Sequence, residues 1–164
     1  MVSKFIFALP TQIGHLMIEF NQQKLSSLVI GGNSLTKNQI SMLTTDADNK
    51  VSDMLLLQLK EYFSSASSFK TIPLAADGTV FQKSVWRELR KIPPGETRTY
   101  GEVATKLNSS ARAVGNACRK NPIQIIIPCH RVVSATGIGG YTGETAGKQL
   151  NIKRWLLAHE GVVL

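Results

Sequence analysis

TYGEVATKLNSSARAVGNACR, Thr99 to Arg119, is the stretch that decides the fold of the second half of this 164-residue chain. Thr99 precedes Glu102 by three residues, the capping-box spacing in which a threonine hydroxyl accepts from the N3 amide and the N3 carboxylate reaches back. A short helix is therefore expected over Tyr100 to Leu107. Asn108-Ser109 makes a turn, and Ser110 can cap a further helix through Arg119. That second helix carries Ala111, Ala113, Gly115 and Ala117, an unusually small-sided surface, and Asn121-Pro122 stops it because the residue before proline is biased out of the helical region. Short helix, tight turn and small-faced helix outline a helix-turn-helix.

Outward from this motif, Phe81, Val85, Leu89 and Ile92 recur at steps of four, four and three, an amphipathic helix ended by Pro93-Pro94-Gly95. On the other side, Ile123 to Ile127 has the pattern of a buried strand, and Lys148 to Glu160 forms a last helix closed by Gly161. The first half reads differently. Lys4 to Leu9, His15 to Phe20 and Leu25 to Ile30 are strand-like with short gaps, which predicts an antiparallel meander. Leu35 to Asn49 is polar and unpatterned, a loop, and Val51, Leu55, Leu59 and Tyr62 set one helix over Val51 to Phe63. Ser64 to Ser68 and the Pro- and Gly-punctuated Thr71 to Gly78 break the pattern. The expected fold is α+β: an N-terminal lobe over residues 1–75 with a three-stranded antiparallel sheet and a helix, and a mostly helical lobe over residues 76–164.

Hydrophobic content of 43% and charged content of 18% exclude a disordered tail or a coiled coil. No apolar run approaches the length of a membrane span. The apolar run near the start, Phe5 to Pro10, is too short for a secretory signal, so a cytoplasmic protein is expected. The net charge of +8 is regional: six Lys/Arg face six Asp/Glu up to Gly78, and thirteen face five beyond it. Such a half suits a polyanionic partner, whose condensed counterions it would release, and equally suits a basic surface kept for solubility. Two cysteines eleven apart with no CxxC, and three histidines in all, fit neither a disulfide framework nor a zinc finger.

The chemistry concentrates in IIIPCHRVV. Isoleucines drive the chain into the interior, proline ends the run, and Cys129 and His130 emerge together. An imidazole and the charge of Arg131 would favour the thiolate, the form that attacks electrophiles. A buried structural cysteine beside a core histidine reads the same way, and adjacency does not prove contact. A histidine acting as base needs a group to orient it, and Glu160 is available. Cys118, on the small-faced helix, reads as packing.

GTVFQKSVWRELRKIPPGETRTYGEVA, ARAVG, NP, PCHRVV, GIGGY and KRWLLAHEG follow one another in the order of the O6-alkylguanine-DNA alkyltransferases, the direct-reversal DNA repair proteins, which residues 78–164 closely resemble. The resemblance implies a single-turnover methyltransferase that flips an alkylated base out of duplex DNA and takes its alkyl group onto a cysteine, with no cofactor and no metal. Cys129 matches the acceptor, His130 the residue that relieves the thiol of its proton through a water, and Glu160 the carboxylate that holds this histidine. Asn121 matches a support of the thiol, and Tyr100 the phenol that donates to guanine N3 as negative charge develops. Arg112 matches the arginine that enters the space the base vacates, with Ala113 and Gly115 allowing close approach in the minor groove. Arg119, Gln82 and Gly101 match further DNA contacts, and Val132, Tyr141 and Thr142 the base pocket. The implied partner is double-stranded DNA carrying O6-alkylguanine, with O4-alkylthymine as a second implied substrate; the protein is expected to be a monomer away from membranes. The chain departs from the family pattern after Tyr141, where Lys153 lies twelve positions on and the loop is lengthened. In the N-terminal lobe, His15 alone cannot make the zinc site that some relatives have. A sensor of the same family would lack Cys129, a sequence-reading regulator would carry long polar side chains on its second helix, and a cysteine hydrolase would need an oxyanion loop that is not identifiable.

Overall fold

A computed structural model describes residues 4–31 and 50–164, so the loop expected at Leu35 to Asn49 lies outside the described residues. The chain divides into two compact units, one running up to Asp77 and including Pro122–Gln124, the other made of Gly78–Asn121 and Ile125–Leu164. The fold is α+β.

In the first unit, β1 (Lys4–Thr11), β2 (Gly14–Asn21) and β3 (Lys24–Ile30) form the antiparallel meander in the order β1-β2-β3. Leu16, Ile18 and Phe20 of β2 are fully buried, the period of two that puts one sheet face in the core. In β3 the buried residues are Leu25, Leu28 and Ile30, which breaks that period. The pairing register accounts for it: Glu19 opposes Ser27 but Phe20 opposes Leu25, so a bulge inserts one residue and returns Leu25 to the buried face. Helix α1 (Lys50–Ser65) buries Leu55, Gln58, Leu59 and Tyr62, the i, i+3, i+4, i+7 stripe of an amphipathic helix. Val51, expected on that stripe, is only half-buried. The free edge of β3 is covered. Leu28 N donates to Pro122 O (2.9 Å), Gln124 N to Leu28 O (2.8 Å) and Ile30 N to Gln124 Oε1 (2.9 Å).

The second unit starts with α2 (Val80–Leu89), capped by a box in which Gln82 N donates to Thr79 Oγ1 and Thr79 N to Gln82 Oε1. The helix ends at Leu89, before the expected Ile92. Lys91 and Ile92 donate instead to carbonyls three residues back, a tightening that carries the buried Ile92 round before Pro93. Both caps expected around the helix-turn-helix form. Thr99 and Glu102 make a capping box at α3 (Tyr100–Lys106), and Ser110 accepts from Ala113 N at α4 (Ala111–Arg119). Trp86 Nε1 donates to Ala117 O (2.9 Å), fixing α4 against α2. Strands β4 (Arg98–Thr99) and β5 (Val132–Val133) pair in parallel, and α5 (Gly147–His159) closes the chain with Gly161 at φ +80°.

The strand expected over Ile123 to Ile127 does not form. Ile123 makes one isolated bridge to Leu28, and Ile125 turns the chain at φ +70°, with Ile125 to Ile127 buried. A short apolar run signals burial without fixing the backbone that achieves it. A β-branched residue at positive φ is costly, and persists where the surroundings over-determine it.

Candidate active site

The turn at Ile125 delivers a thiol. Asn121, just past α4, is buried, and its Nδ2 donates both to Ile127 O (2.8 Å) and to Cys129 Sγ (3.2 Å). Cys129 N donates back to Ile127 O (2.8 Å), and Cys129–Arg131 form one turn of 3₁₀ helix. Asn121 thus holds both the sulfur and the carbonyl to which the Cys129 amide is bonded. Burial raises the Cys129 thiol above its ordinary pKa, while the Asn121 hydrogen bond and the charge of Lys153 work in the opposite direction.

Behind the thiol, His130 is fully buried and its Nε2 stands 2.8 Å from Glu160 Oε1. With Nε2–H donating to the carboxylate, Nδ1 is the lone-pair nitrogen, and among the described residues it has no partner. Burial lowers the His130 pKa and outweighs the pull of Glu160, so the imidazole rests neutral. Glu160 follows the last residue of α5, where the helix dipole disfavours a carboxylate. Burial also works to raise it, yet hydrogen bonds from His130 and Arg131 hold it well below the usual carboxylate range. Arg131 Nε donates to Glu160 Oε2 (3.0 Å) and Nη2 to Oε1 (2.9 Å), a two-pronged grip, and Nη1 caps Ile92 O (2.6 Å). This corrects one expectation: the guanidinium expected to favour the thiolate is committed to Glu160, because the 3₁₀ turn swings it off the sulfur.

Cys129 opens onto a cavity of about 230 Å3 whose wall also holds Tyr100, Gly115, Cys118 and the loop from Gly140 to Thr145. Tyr100 is the first residue of α3, so the cap at Thr99 sets where its phenol stands. Its hydroxyl lies 3.4 Å from Gly140 O as donor, and burial raises its pKa, keeping it a neutral donor. Gly139, at φ +72°, makes room for this ring: a Cβ there would stand 3.2 Å from Tyr100 Cε2 and 3.1 Å from Ser134 N. Tyr141 is buried, and Tyr141 and Glu144 close a turn by two backbone bonds (2.8 and 2.9 Å), with Thr142 at φ +49° and Gly143 at φ +90° between them. Cys118 is buried on the same wall, its thiol pushed up by burial.

The remaining residues singled out from sequence fall in three places. Val132 is buried, with its carbonyl already accepting from Lys153 Nζ (2.6 Å). Gln82, Ala113 and Arg119 line a second hollow of about 590 Å3 along α2 and α4, with Arg119 reaching both hollows. Arg112 and Gly101 are exposed in the first turns of α4 and α3. Sequence reasoning missed Lys153 and Arg131 as buried charges. Lys153 carried a signal: it falls three after Leu150, three before Leu156 and four before Leu157, on the apolar face of α5. Among the described residues no group of three His, Cys, Asp or Glu could hold a metal ion, and no helix is long and apolar enough to cross a membrane.

A helix-turn-helix unit with one clamped, buried thiol at its inner end defines a protein class that pairs cysteine chemistry with a nucleic-acid-binding motif. A family profile described as "6-O-methylguanine DNA methyltransferase, DNA binding domain" matches residues 80–162, and the chain belongs to that family. It is 50% identical over 106 residues to the methylated-DNA--protein-cysteine methyltransferase of Methanosarcina acetivorans, covering 63% of this chain and 65% of that one. The match thus spans just under two thirds of that curated relative's length. Among solved structures, the Mycobacterium tuberculosis O6-methylguanine methyltransferase superposes with a TM-score of 0.79 at 32% identity, over 96% of this chain and 93% of that one. The Mycobacterium tuberculosis protein in complex with DNA gives a TM-score of 0.74 at 33% identity, over 94% and 91%.

Proposed function

We propose that this protein repairs duplex DNA by direct reversal, moving the alkyl group of O6-alkylguanine, and of O4-alkylthymine, onto Cys129 in one irreversible turnover. The observation that carries the reading is the setting of Cys129 Sγ: on the wall of a cavity, bonded by Asn121, beside a neutral His130 whose far nitrogen is held by Glu160. In the reaction the thiol proton passes through water to His130 Nδ1, the sulfur attacks the alkyl carbon, and the carbon–oxygen bond breaks with its electron pair left on the base. Tyr100, as a neutral phenol, donates to guanine N3 and stabilises that charge. The thioether is stable, so each molecule acts once, with no metal and no cofactor.

A base inside a duplex cannot reach a buried sulfur, so the damaged nucleotide is rotated out, most cheaply where pairing is already weakened. In this reading Arg112 fills the gap, Ala113 and Gly115 allow α4 close to the minor groove, and Arg119, Gln82 and Gly101 contact the strand. Tyr141, Thr142 and the Val132 backbone hold the flipped base. The DNA complex of the Mycobacterium tuberculosis relative and the thirteen basic residues beyond Gly78 support the partner. Both cysteines are free, which suits a reducing cytoplasm, and a single thiol centre suits a monomer. The two lobes then divide labour near residue 75, with DNA binding and alkyl transfer in the second.

Duplex DNA carrying radiolabelled O6-methylguanine tests this. Label should move to the protein, saturate near one equivalent and vanish in Cys129→Ala. Binding without transfer would make the protein a sensor, and label released in many turnovers would make it a hydrolase.

A further inference from the structure

Lys153 is fully buried, yet among the described residues no carboxylate pairs with it. Buried cations are ordinarily paired, because a charge taken out of water without a counter-charge is costly. The partners of its Nζ are dipoles: Val132 O at 2.6 Å, Gly140 O at 2.9 Å, and the face of the Tyr100 ring with its centre 5.9 Å away. They hold the ammonium against the site from behind. The Val132 amide in turn donates to Cys129 O, and Gly140 and Tyr100 share a cavity wall with Cys129.

The titratable groups around it are Cys129, Cys118, Tyr100 and His130. Glu160 is taken up by His130 and Arg131. His130 cannot become an anion, and burial keeps Tyr100 and Cys118 protonated. Cys129 differs from them in being hydrogen-bonded through its sulfur by Asn121, an arrangement that favours the anion.

We propose that Lys153 is a positioning residue whose counter-charge is the sulfur anion of Cys129, so that a cation fixed on two main-chain carbonyls stabilises the nucleophile from outside the cavity. The inference rests on Cys129 being the reactive thiol. It adds that the ammonium of α5, rather than the neighbouring Arg131, supplies the positive charge. The depression of the Lys153 pKa to about 8 by burial, opposed by Cys129, agrees with two coupled groups.

The test needs no DNA, so its failure is distinct from failure of the alkyl-transfer reading. In wild-type protein labelled with 13C at lysine Cε, the titration midpoint of Lys153 is read by NMR before and after Cys129 is capped with methyl methanethiosulfonate, the cap being verified on the peptide that holds Cys129. The midpoint should fall by a unit or more once the sulfur can no longer carry charge; an unchanged midpoint overturns the proposal. In Lys153→Met, the pH at half-maximal carbamidomethylation of Cys129 by iodoacetamide should rise by at least one unit, with Lys153→Arg restoring most of it. No movement in a folded Lys153→Met protein also overturns it, and if that variant does not fold, the wild-type titration decides.

Discussion

Glu160 carries more of the site than any other single side chain, because its two oxygens accept from one histidine and from two nitrogens of one arginine. Each of those bonds serves a different purpose. The bond to His130 selects which ring nitrogen faces away with a lone pair, and the pair to Arg131 neutralises the charge of a residue that is only 5% exposed. Glu160→Gln keeps the volume and removes the anion, so it leaves Arg131 buried with no counter-charge. Breaking a buried pair in this way costs about 3–5 kcal/mol, more than replacing both members with apolar groups of similar size. Glu160→Gln should therefore lower the unfolding free energy measured in urea by that amount and slow single-turnover label transfer, while Glu160→Gln combined with Arg131→Met should recover part of the stability. Equal destabilisation in the single and double variants would mean that the charge on Arg131 is not what Glu160 holds.

Between elements, the contact with the sharpest consequence joins α4 to the Tyr141–Glu144 turn. Gly143 has φ +90°, and a Cβ built on it would stand 2.6 Å from Arg119 Nε and 3.0 Å from Arg119 Cδ. Gly143→Ala should thus act twice: through a backbone conformation that costs roughly 1–2 kcal/mol for a residue with a Cβ, and by displacing the Arg119 side chain. Arg119→Ala removes the second effect and leaves the first. A double-mutant cycle by urea unfolding should give a coupling of about 0.5–1 kcal/mol, and zero coupling would show that the arginine stem does not rest on the turn. Such pairings were not legible in the sequence, whereas the elements themselves largely were. Caps at Thr99 and Ser110 could be read because a cap is chemistry within four residues, and the meander because its gaps are short. Ile123 to Ile127 misled because a run of isoleucines states burial and leaves φ open, so the clamp of Asn121 on Ile127 had no sequence signal. Arg131 misled for the related reason that a single 3₁₀ turn separates it from its neighbour's sulfur. The His130–Glu160 contact spans thirty residues, so the sequence could offer Glu160 as an orienting group but not place it against the ring. Lys153 was legible as a charge on the apolar face of α5, whereas the carbonyls that hold it, on Val132 and Gly140, come from distant parts of the chain.

For the second unit as a whole, the buried ionisable groups set an unusual dependence of stability on pH, and both tryptophans, Trp86 and Trp155, lie in that unit and report on it. His130 has a folded pKa below its ordinary 6.5, so at lower pH the unfolded chain takes up a proton that the folded chain refuses. Stability must then rise with pH up to about 6.5, with a slope of about 1.4 kcal/mol per pH unit for that one proton. Glu160, held below its ordinary 4.5, acts with the same sign, and below that value the slope steepens as the unfolded carboxylate is protonated first. At the alkaline end Lys153, lowered to about 8 from 10.5, adds stability as pH climbs past 8, since the unfolded chain keeps a proton that the folded one releases. Cys118 opposes this above about 9 and Tyr100 above about 10, because their folded pKa values are raised and the unfolded groups ionise first. The first levels the curve and the second turns it downward. The thermal midpoint followed by tryptophan fluorescence should climb from pH 4 through pH 6.5 and rise again past pH 8 to a maximum near pH 9, above the pH 5 to 8 range common for globular proteins. In His130→Gln the climb between pH 4.5 and 6.5 should flatten while the alkaline limb is kept. A wild-type midpoint that is level from pH 5 to pH 8 would mean that His130 takes up its proton in the folded state, and a neutral imidazole poised to receive the thiol proton would then have to be given up.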